Sequence, residues 1–198
     1  MAEPKFTPGA ALAAGWEKTK SNFPLMLGVA IIAMFFSVGP SWFFARSWQF
    51  GSSLLSLLLG VFVAIGLIKI SLKIHDGKTT GLDEFFSLNF KQYLDYLWLT
   101  IVYSVMVFVG LVLLIVPGVI LILKYQFCVY LLIDKKLKPF AALRQSGEMT
   151  KGHLGSLFVF WLAILLLTVI GALLFGLGLL ITVPVVMLAQ VYVYRRLS

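Results

Sequence analysis

The stretch from Leu154 to Tyr194 reads LGSLFVFWLAILLLTVIGALLFGLGLLITVPVVMLAQVYVY, 41 residues without a single charged side chain. As one continuous helix it would measure about 60 Å, since each residue rises 1.5 Å. The hydrocarbon core of a bilayer is only about 30 Å thick and needs about 20 apolar residues per crossing. Two crossings fit the length. The glycines of LLFGLGLLI, Gly176 and Gly178, mark the place where the chain can turn back. This stretch therefore predicts a pair of membrane spans at 154–175 and 177–194, folded as a hairpin.

The same reading extends outward. Leu97 to Leu123 is also free of charge, and LIVPGVI places a turn signal at Pro117 and Gly118. Six spans result, at roughly 23–45, 51–73, 94–115, 117–133, 154–175 and 177–194, paired as three hairpins. The first pair turns through FARSWQFGSS, where Trp42 and Trp48 suit the interface between lipid and water. Of the 198 residues, 61% are hydrophobic and 12% charged, against about 25% charged in soluble domains. The mean hydropathy is +1.00. The fold class expected is an all-α integral membrane protein in a single membrane domain. The first apolar run, beginning near Phe23, is as long as a span and is read as a retained anchor rather than a cleaved leader.

Orientation follows from the basic residues. Fourteen of the sixteen, from Lys5 and Lys18 through Lys135 to Arg196, fall on one side of the six-span arrangement. Arg46 alone lies in a loop on the other side, and Lys124 lies within a span. The positive-inside rule then assigns both termini and both long loops to the cytoplasm.

A short polar phrase occurs twice. PGAALAAGWEKTK, Pro8 to Lys20, returns as PFAALRQSGEMTK, Pro139 to Lys151, with seven of thirteen positions identical and an offset of 131 residues. Each copy lies just before a hairpin. A proline suits the first helical turn, where its missing N–H is not needed, and Thr7 is placed to cap the first copy. In the second copy Phe140, Leu143 and Gly147 share one face, while Arg144, Glu148 and Lys151 share the other. Such a helix suits the membrane interface, and Glu148 can pair with Arg144 or Lys151. A weaker third version, TTGLDEFFSLNFKQYLDYLW, precedes the middle hairpin, with Thr80 and Asp83 in a capping arrangement. The expected unit is an amphipathic helix on the cytoplasmic side followed by a hairpin, used three times over 7–75, 79–134 and 138–198.

Few residues carry chemistry. Ser52, Ser56, Gly60 and Ala64 recur every fourth position, a spacing that lets helices approach closely. Lys124 sits within a span, where a lysine costs about 2.5–3.5 kcal/mol on insertion scales. It can reach the interface by snorkelling, or serve as a contact for an anion, a headgroup or another helix. The basic group Lys135, Lys136, Lys138, Arg144 and Lys151 lies beside the membrane, where each charge gains about 1 kcal/mol from anionic lipid. His75 and His153 are loop-end residues, and Cys128 is the only cysteine. They form no typical zinc spacing, and no nucleophile–base set can be assembled at one depth. No catalytic residue, metal or cofactor is expected.

The segment VPGVILILKYQFCVYLLIDKKLKPFAALRQSGEMTKGHLGSLF, Val116 to Phe158, resembles a group of bacterial polytopic membrane proteins of unknown function. They are related to the membrane domain attached to some glycerophosphodiester phosphodiesterases. The shared features are Pro117-Gly118, Lys124 inside the next span, Asp134 at its end, then Ala142-Leu143, Ser146 and Thr150-Lys151-Gly152. The resemblance covers roughly 60–198. It implies a bacterial cytoplasmic membrane location and a six-span bundle. The phosphodiesterase chemistry belongs to a separate soluble domain whose residues are not found in this sequence.

Two functional classes fit these observations. One is a non-enzymatic accessory or scaffold module whose partners are the bilayer, its anionic lipids, and a partner membrane protein or second copy of the chain. The other is a small-solute transporter or channel using Lys124. Nucleic acid is not an expected partner, because no recognition module stands behind the basic residues.

Overall fold

The computed structural model describes residues 6–44, 49–81, 83–84, 87, 89–173 and 178–198; of residue 34 and of 36–44 and 49–54 only the backbone is described. The described residues are predominantly helical, with no strand among them. They form α1 (Pro8–Ser21), α2 (Phe23–Phe44), α3 (Gln49–His75), α4 (Phe90–Leu113), α5 (Ile115–Tyr125), α6 (Cys128–Asp134), α7 (Pro139–Met149), α8 (Leu154–Leu173) and α9 (Leu179–Leu197). Among the described residues, five stretches are long and apolar enough to cross a membrane: Leu55–His75, Phe90–Leu113, Ile115–Asp134, Leu154–Leu173 and Leu179–Leu197. The chain is a multi-pass membrane protein. Trp42 and the backbone of α2 belong to the described helix, but Arg46, Trp48 and Gly176 lie outside the described residues.

Local chemistry sets several of the helix ends. Thr7 caps α1 as its sequence position predicts, accepting the Ala10 N–H at 3.4 Å, and Pro8 opens the helix. Pro139 opens α7 in the same way, although Lys138 before it supplies no side-chain cap. Asn89 caps α4 by accepting the Lys91 N–H at 3.1 Å. Thr80, read as a cap with Asp83, does not act as one: its hydroxyl is buried and has no hydrogen-bond partner.

The middle pair of spans departs from the sequence reading. The break falls at Leu114, whose backbone is extended (φ −160°, ψ 137°), not at Pro117-Gly118. Pro117 sits in the first turn of α5, where no intrahelical N–H bond is required. Gly118 serves packing instead. A Cβ added at Gly110 of α4 would stand 3.2 Å from the Gly118 Cα, so these glycines bring the two backbones together. Gly171 and Gly178 play the same part between α8 and α9, where a Cβ on Gly178 would meet the Gly171 Cα at 2.7 Å. The expected single helix over 117–133 is in fact two, α5 and α6, separated by a turn at Gln126 and Phe127.

Inner and outer helices differ in what they bury. Phe127, Tyr130, Leu131, Leu132, Ala189, Val191, Val193 and Tyr194 on α6, α9 and the turn before α6 are almost completely enclosed, together with Ile65 and Leu72 of α3. α4 and α8 instead expose apolar side chains such as Phe108, Val112, Leu166 and Leu173. A water-soluble surface does not carry so continuous an apolar belt.

The two copies of the repeated phrase occupy corresponding seats. α1 lies on α9, with Gly15 so close to Val185 and Ala189 that an added Cβ would stand 3.0 Å from the Ala189 nitrogen. α7 lies on α5 and α6, with Gly147 against Lys124 and Tyr125. Ala11 and Ala142, equivalent in the alignment, are both fully enclosed. Thr19 and Thr150 are equivalent too, and each hydroxyl donates to the carbonyl four residues back, Gly15 at 2.7 Å and Ser146 at 2.9 Å. The segment before α4 is tied to α3: Lys69 donates to the Ser87 carbonyl and Lys73 pairs with Glu84.

Candidate binding site

Three helices end in charge at one end of the bundle. α3 leads into Asp76, α6 ends at Asp134, and α9 carries Arg195 in its last turn. The Arg195 guanidinium joins them. Its Nη1 donates to Asp134 Oδ2 at 2.7 Å and its Nη2 to Asp134 Oδ1 at 3.1 Å. The same group donates to Asp76, from Nε to Oδ1 at 3.1 Å and from Nη2 to Oδ2 at 2.7 Å. A planar fork addressing two carboxylates is a geometry that arginine provides and lysine does not.

Aromatic rings support this junction from within the core. Tyr194 donates its hydroxyl to Asp134 Oδ2 at 2.8 Å, and its ring stacks on Tyr130 with centroids 5.5 Å apart. Tyr130 in turn donates to Gln190 Oε1 at 2.8 Å. Phe127 completes the group, 6.1 Å from Tyr130 and 6.2 Å from Tyr194. His75 stands 3.7 Å from Asp76 and meets Tyr192 edge-on.

Beside the junction opens a cavity of about 580 Å³. Its walls come from the end of α3, the segment before α4, the first turns of α4, and the end of α6 with the residues that follow. Lysines dominate it: Lys69, Lys73, Lys78, Lys91 and Lys136, facing Asp76, Glu84, Asp95 and Asp134. Hydrogen bonding from Lys73 holds the Glu84 carboxyl below its ordinary value of 4.5; partial burial opposes this and the lysine charges add to it. Among the described residues, no three His, Cys, Asp or Glu side chains gather in a group able to hold a metal ion.

The residues singled out from sequence are dispersed. Lys136 lines the cavity and has a left-handed backbone, φ 52°. Lys135, Lys138 and Lys151 are exposed, and Arg144 pairs with Glu148 at 3.1 Å on the exposed side of α7. Phe140, expected on an apolar face with Leu143 and Gly147, is exposed while those two are buried. Lys124 is half-buried at the end of α5, its Nζ 5.3 Å from the centre of the Tyr125 ring. Its carbonyl accepts the Ser146 hydroxyl at 3.0 Å and the Thr150 hydroxyl at 3.1 Å, so α7 satisfies the backbone where the span is interrupted. In the small-residue series, Ala64 packs on the core, the Ser56 hydroxyl is buried without a partner, and Gly60 faces open space. The side chain of Ser52 lies outside the described residues.

Asp76, Arg195, Tyr194 and Lys69 were not singled out as a site, and Asp134 only as a shared position. A signal for them exists. Asp76, Asp134 and Arg195 each close an apolar run, and charges of opposite sign at equal depth invite pairing.

No family model and no solved structure matches the chain. It is similar to uncharacterized proteins of Mycobacterium bovis and Mycobacterium tuberculosis, 32% identical over 140 residues, which is 71% of this chain and 42% of each relative. A further uncharacterized protein of Mycobacterium tuberculosis is 33% identical over 141 residues, with the same coverage. The chain thus spans less than half the length of these relatives.

Proposed function

We propose that this chain is a non-enzymatic membrane module, an accessory or scaffold that engages anionic lipid or a partner membrane protein from the cytoplasmic side of a bacterial cytoplasmic membrane. In this reading six spans form three hairpins, each led by a helix at the membrane interface, with both termini in the cytoplasm. The matched burial of Ala11 with Ala142, and of Thr19 with Thr150, supports repeated units. So does the seating order. Each leading segment rests on the last span of another unit: α1 on α9, α7 on α5 and α6, and Glu84 and Ser87 on α3. The three units then close into a ring.

The observation that carries the function is the segregation of charge. Arg195, Asp76, Asp134 and the cavity lysines collect at one end, while the flanks of α4 and α8 are apolar. A single charged end on an apolar body is suited to holding headgroups or a partner rather than to lining a path across the membrane. Native mass spectrometry of the gently solubilised protein tests it. A stoichiometric lipid or protein that survives release is the expected result, and a bare chain would count against the reading.

A transporter using Lys124 is favoured by one observation, the interruption of a span directly after that residue. The capping of the Lys124 carbonyl by Ser146 and Thr150 gives the break a structural explanation instead. Lys124→Leu separates the two. The scaffold keeps its fold and its retained partner, whereas a transporter keeps its fold and loses flux in liposomes.

A further inference from the structure

We infer that the cavity between α3, α4 and α6 is an anion site that takes a phosphate group; the inference rests on the lipid-engaging module proposed above and names what its charged end holds. The volume of about 580 Å³ suits a glycerophosphate-sized group. The charges around it are not all committed. Lys73 is neutralised by Glu84, and Asp76 and Asp134 are both taken by Arg195. Among the described residues, Lys69, Lys78, Lys91 and Lys136 face the cavity without a carboxylate partner, and Asp95 is the carboxylate there without a cationic one. With Arg195 counted, six cations stand against four carboxylates, a surplus of two positive charges, and the Lys69 ammonium, held by the Ser87 carbonyl, keeps its charge unneutralised.

The backbone adds to it. The first turn of α4, a 24-residue helix with no acidic residue in that turn, lines the same cavity through Lys91 and Gln92. The N-terminus of such a helix carries about half a positive charge, although Asn89 already accepts the Lys91 N–H. Lys136 reaches the wall from a left-handed backbone that glycine would adopt more readily, so its side chain is present despite a conformational cost of roughly 1–2 kcal/mol. Phosphate is the chemistry that uses all of these donors: compact, anionic, and rich in acceptor oxygens. It could belong to an anionic lipid headgroup or to a soluble phosphate compound.

The experiment is native mass spectrometry of the full chain released from nanodiscs of equal phosphatidylglycerol and phosphatidylcholine, with inorganic phosphate and glycerol phosphate as competitors. The wild type retains phosphatidylglycerol in preference to phosphatidylcholine. Lys69→Gln and Lys136→Gly each lower that preference about fivefold, and glycine at φ 52° keeps the backbone content, so the second loss is not a folding defect. Asp95→Asn raises the preference, a gain that unfolding cannot produce. Lys20→Gln, removing an exposed charge of α1 that stands over Trp16 and outside the cavity, leaves it unchanged. Displacement by the soluble competitors assigns the cavity to a free phosphate compound, and resistance assigns it to the headgroup. An equal loss in Lys136→Gly and Lys20→Gln, or no response in Lys69→Gln, Lys136→Gly and Asp95→Asn, overturns the site while lipid engagement stands. A wild type that holds neither lipid nor phosphate and comes with no partner overturns both.

Discussion

Arg195 and Asp134 meet through two parallel hydrogen bonds of 2.7 and 3.1 Å, the forked pairing of a guanidinium with a carboxylate, although 61 positions separate them in the chain. Asp76 accepts from the same guanidinium, so one cation holds two anions together. Arg195, Asp76 and Asp134 keep 26, 27 and 19% of their side-chain surface exposed, between the limits of a weak surface pair and a fully buried one.

Arg195→Met should therefore destabilise the protein by about 2–3 kcal/mol, because two carboxylates are left facing each other with their acceptors unmet. Adding Asp76→Asn should recover part of that loss by removing the like-charge repulsion. Denaturant unfolding in a fixed detergent, read as a double-mutant cycle, measures the coupling. Independent, additive effects would show that the three groups do not act as a unit.

Two glycines of α1 should respond in opposite directions to the same substitution. Gly15→Ala places a methyl group against the Val185 carbonyl and the Ala189 nitrogen, and backbone cannot yield as a flexible side chain can. A loss of about 1–3 kcal/mol is expected, with faster hydrogen exchange along α1. At Gly9 nothing lies within 4 Å, so Gly9→Ala should stabilise the helix by about 0.5–1 kcal/mol. Equal effects at both positions would mean that α1 does not seat on α9 in the membrane.

The hydroxyls on the Lys124 carbonyl supply a third prediction. Thr150→Val keeps the side-chain shape and removes a donor to both Lys124 and Ser146, for an expected loss of about 1 kcal/mol. Ser146→Ala together with Thr150→Val withdraws both α7 donors from that carbonyl at the interrupted span. The pair should cost more than the sum of the single changes. Unfolding of the three variants under identical conditions decides it.

Acid should weaken the Lys73–Glu84 contact in a defined direction. Glu84 titrates below its ordinary 4.5 in the folded protein, so its contribution is complete above that value and disappears as the pH falls through the lower, folded one. The pair is partly exposed, with 39 and 28% of the two side chains in contact with solvent, so a few tenths to about 1 kcal/mol is expected. Wild-type stability should drop toward that of Glu84→Gln as the pH falls below the ordinary 4.5 of the carboxyl. A difference that persists at the acid end would rule out this titration as its source.

Much of the helical framework can be read from the chain. Hydropathy and length place α8 and α9 in Leu154–Tyr194, and the prolines with Thr7 place the starts of α1 and α7. Turn signals were less reliable guides. Pro117 and Gly118 mark a turn in sequence, yet one begins a helix and the other lets α4 and α5 touch, because both roles exploit a missing donor or a missing side chain. The interruption at Gln126 and Phe127 has one local contributor, the Gln126 side chain, which donates to the Leu123 carbonyl at 3.1 Å. The larger contribution is not local: the hydroxyls of Ser146 and Thr150, more than twenty residues further on, take the Lys124 carbonyl. The polar junction was half legible. That Asp76, Asp134 and Arg195 share a depth can be read from the ends of their apolar runs, but which helices stand side by side is decided by tertiary packing of small and aromatic residues.

The seat of α1 on α9 also constrains the order of assembly. Gly15 is joined to the chain about 170 residues before Val185, a delay of roughly 10–30 s at usual elongation rates. During that interval the face formed by Ala11, Gly15 and Thr19 has no α9 to pack against. Seating of α1 therefore has to follow the synthesis of α9, however early α1 itself becomes helical.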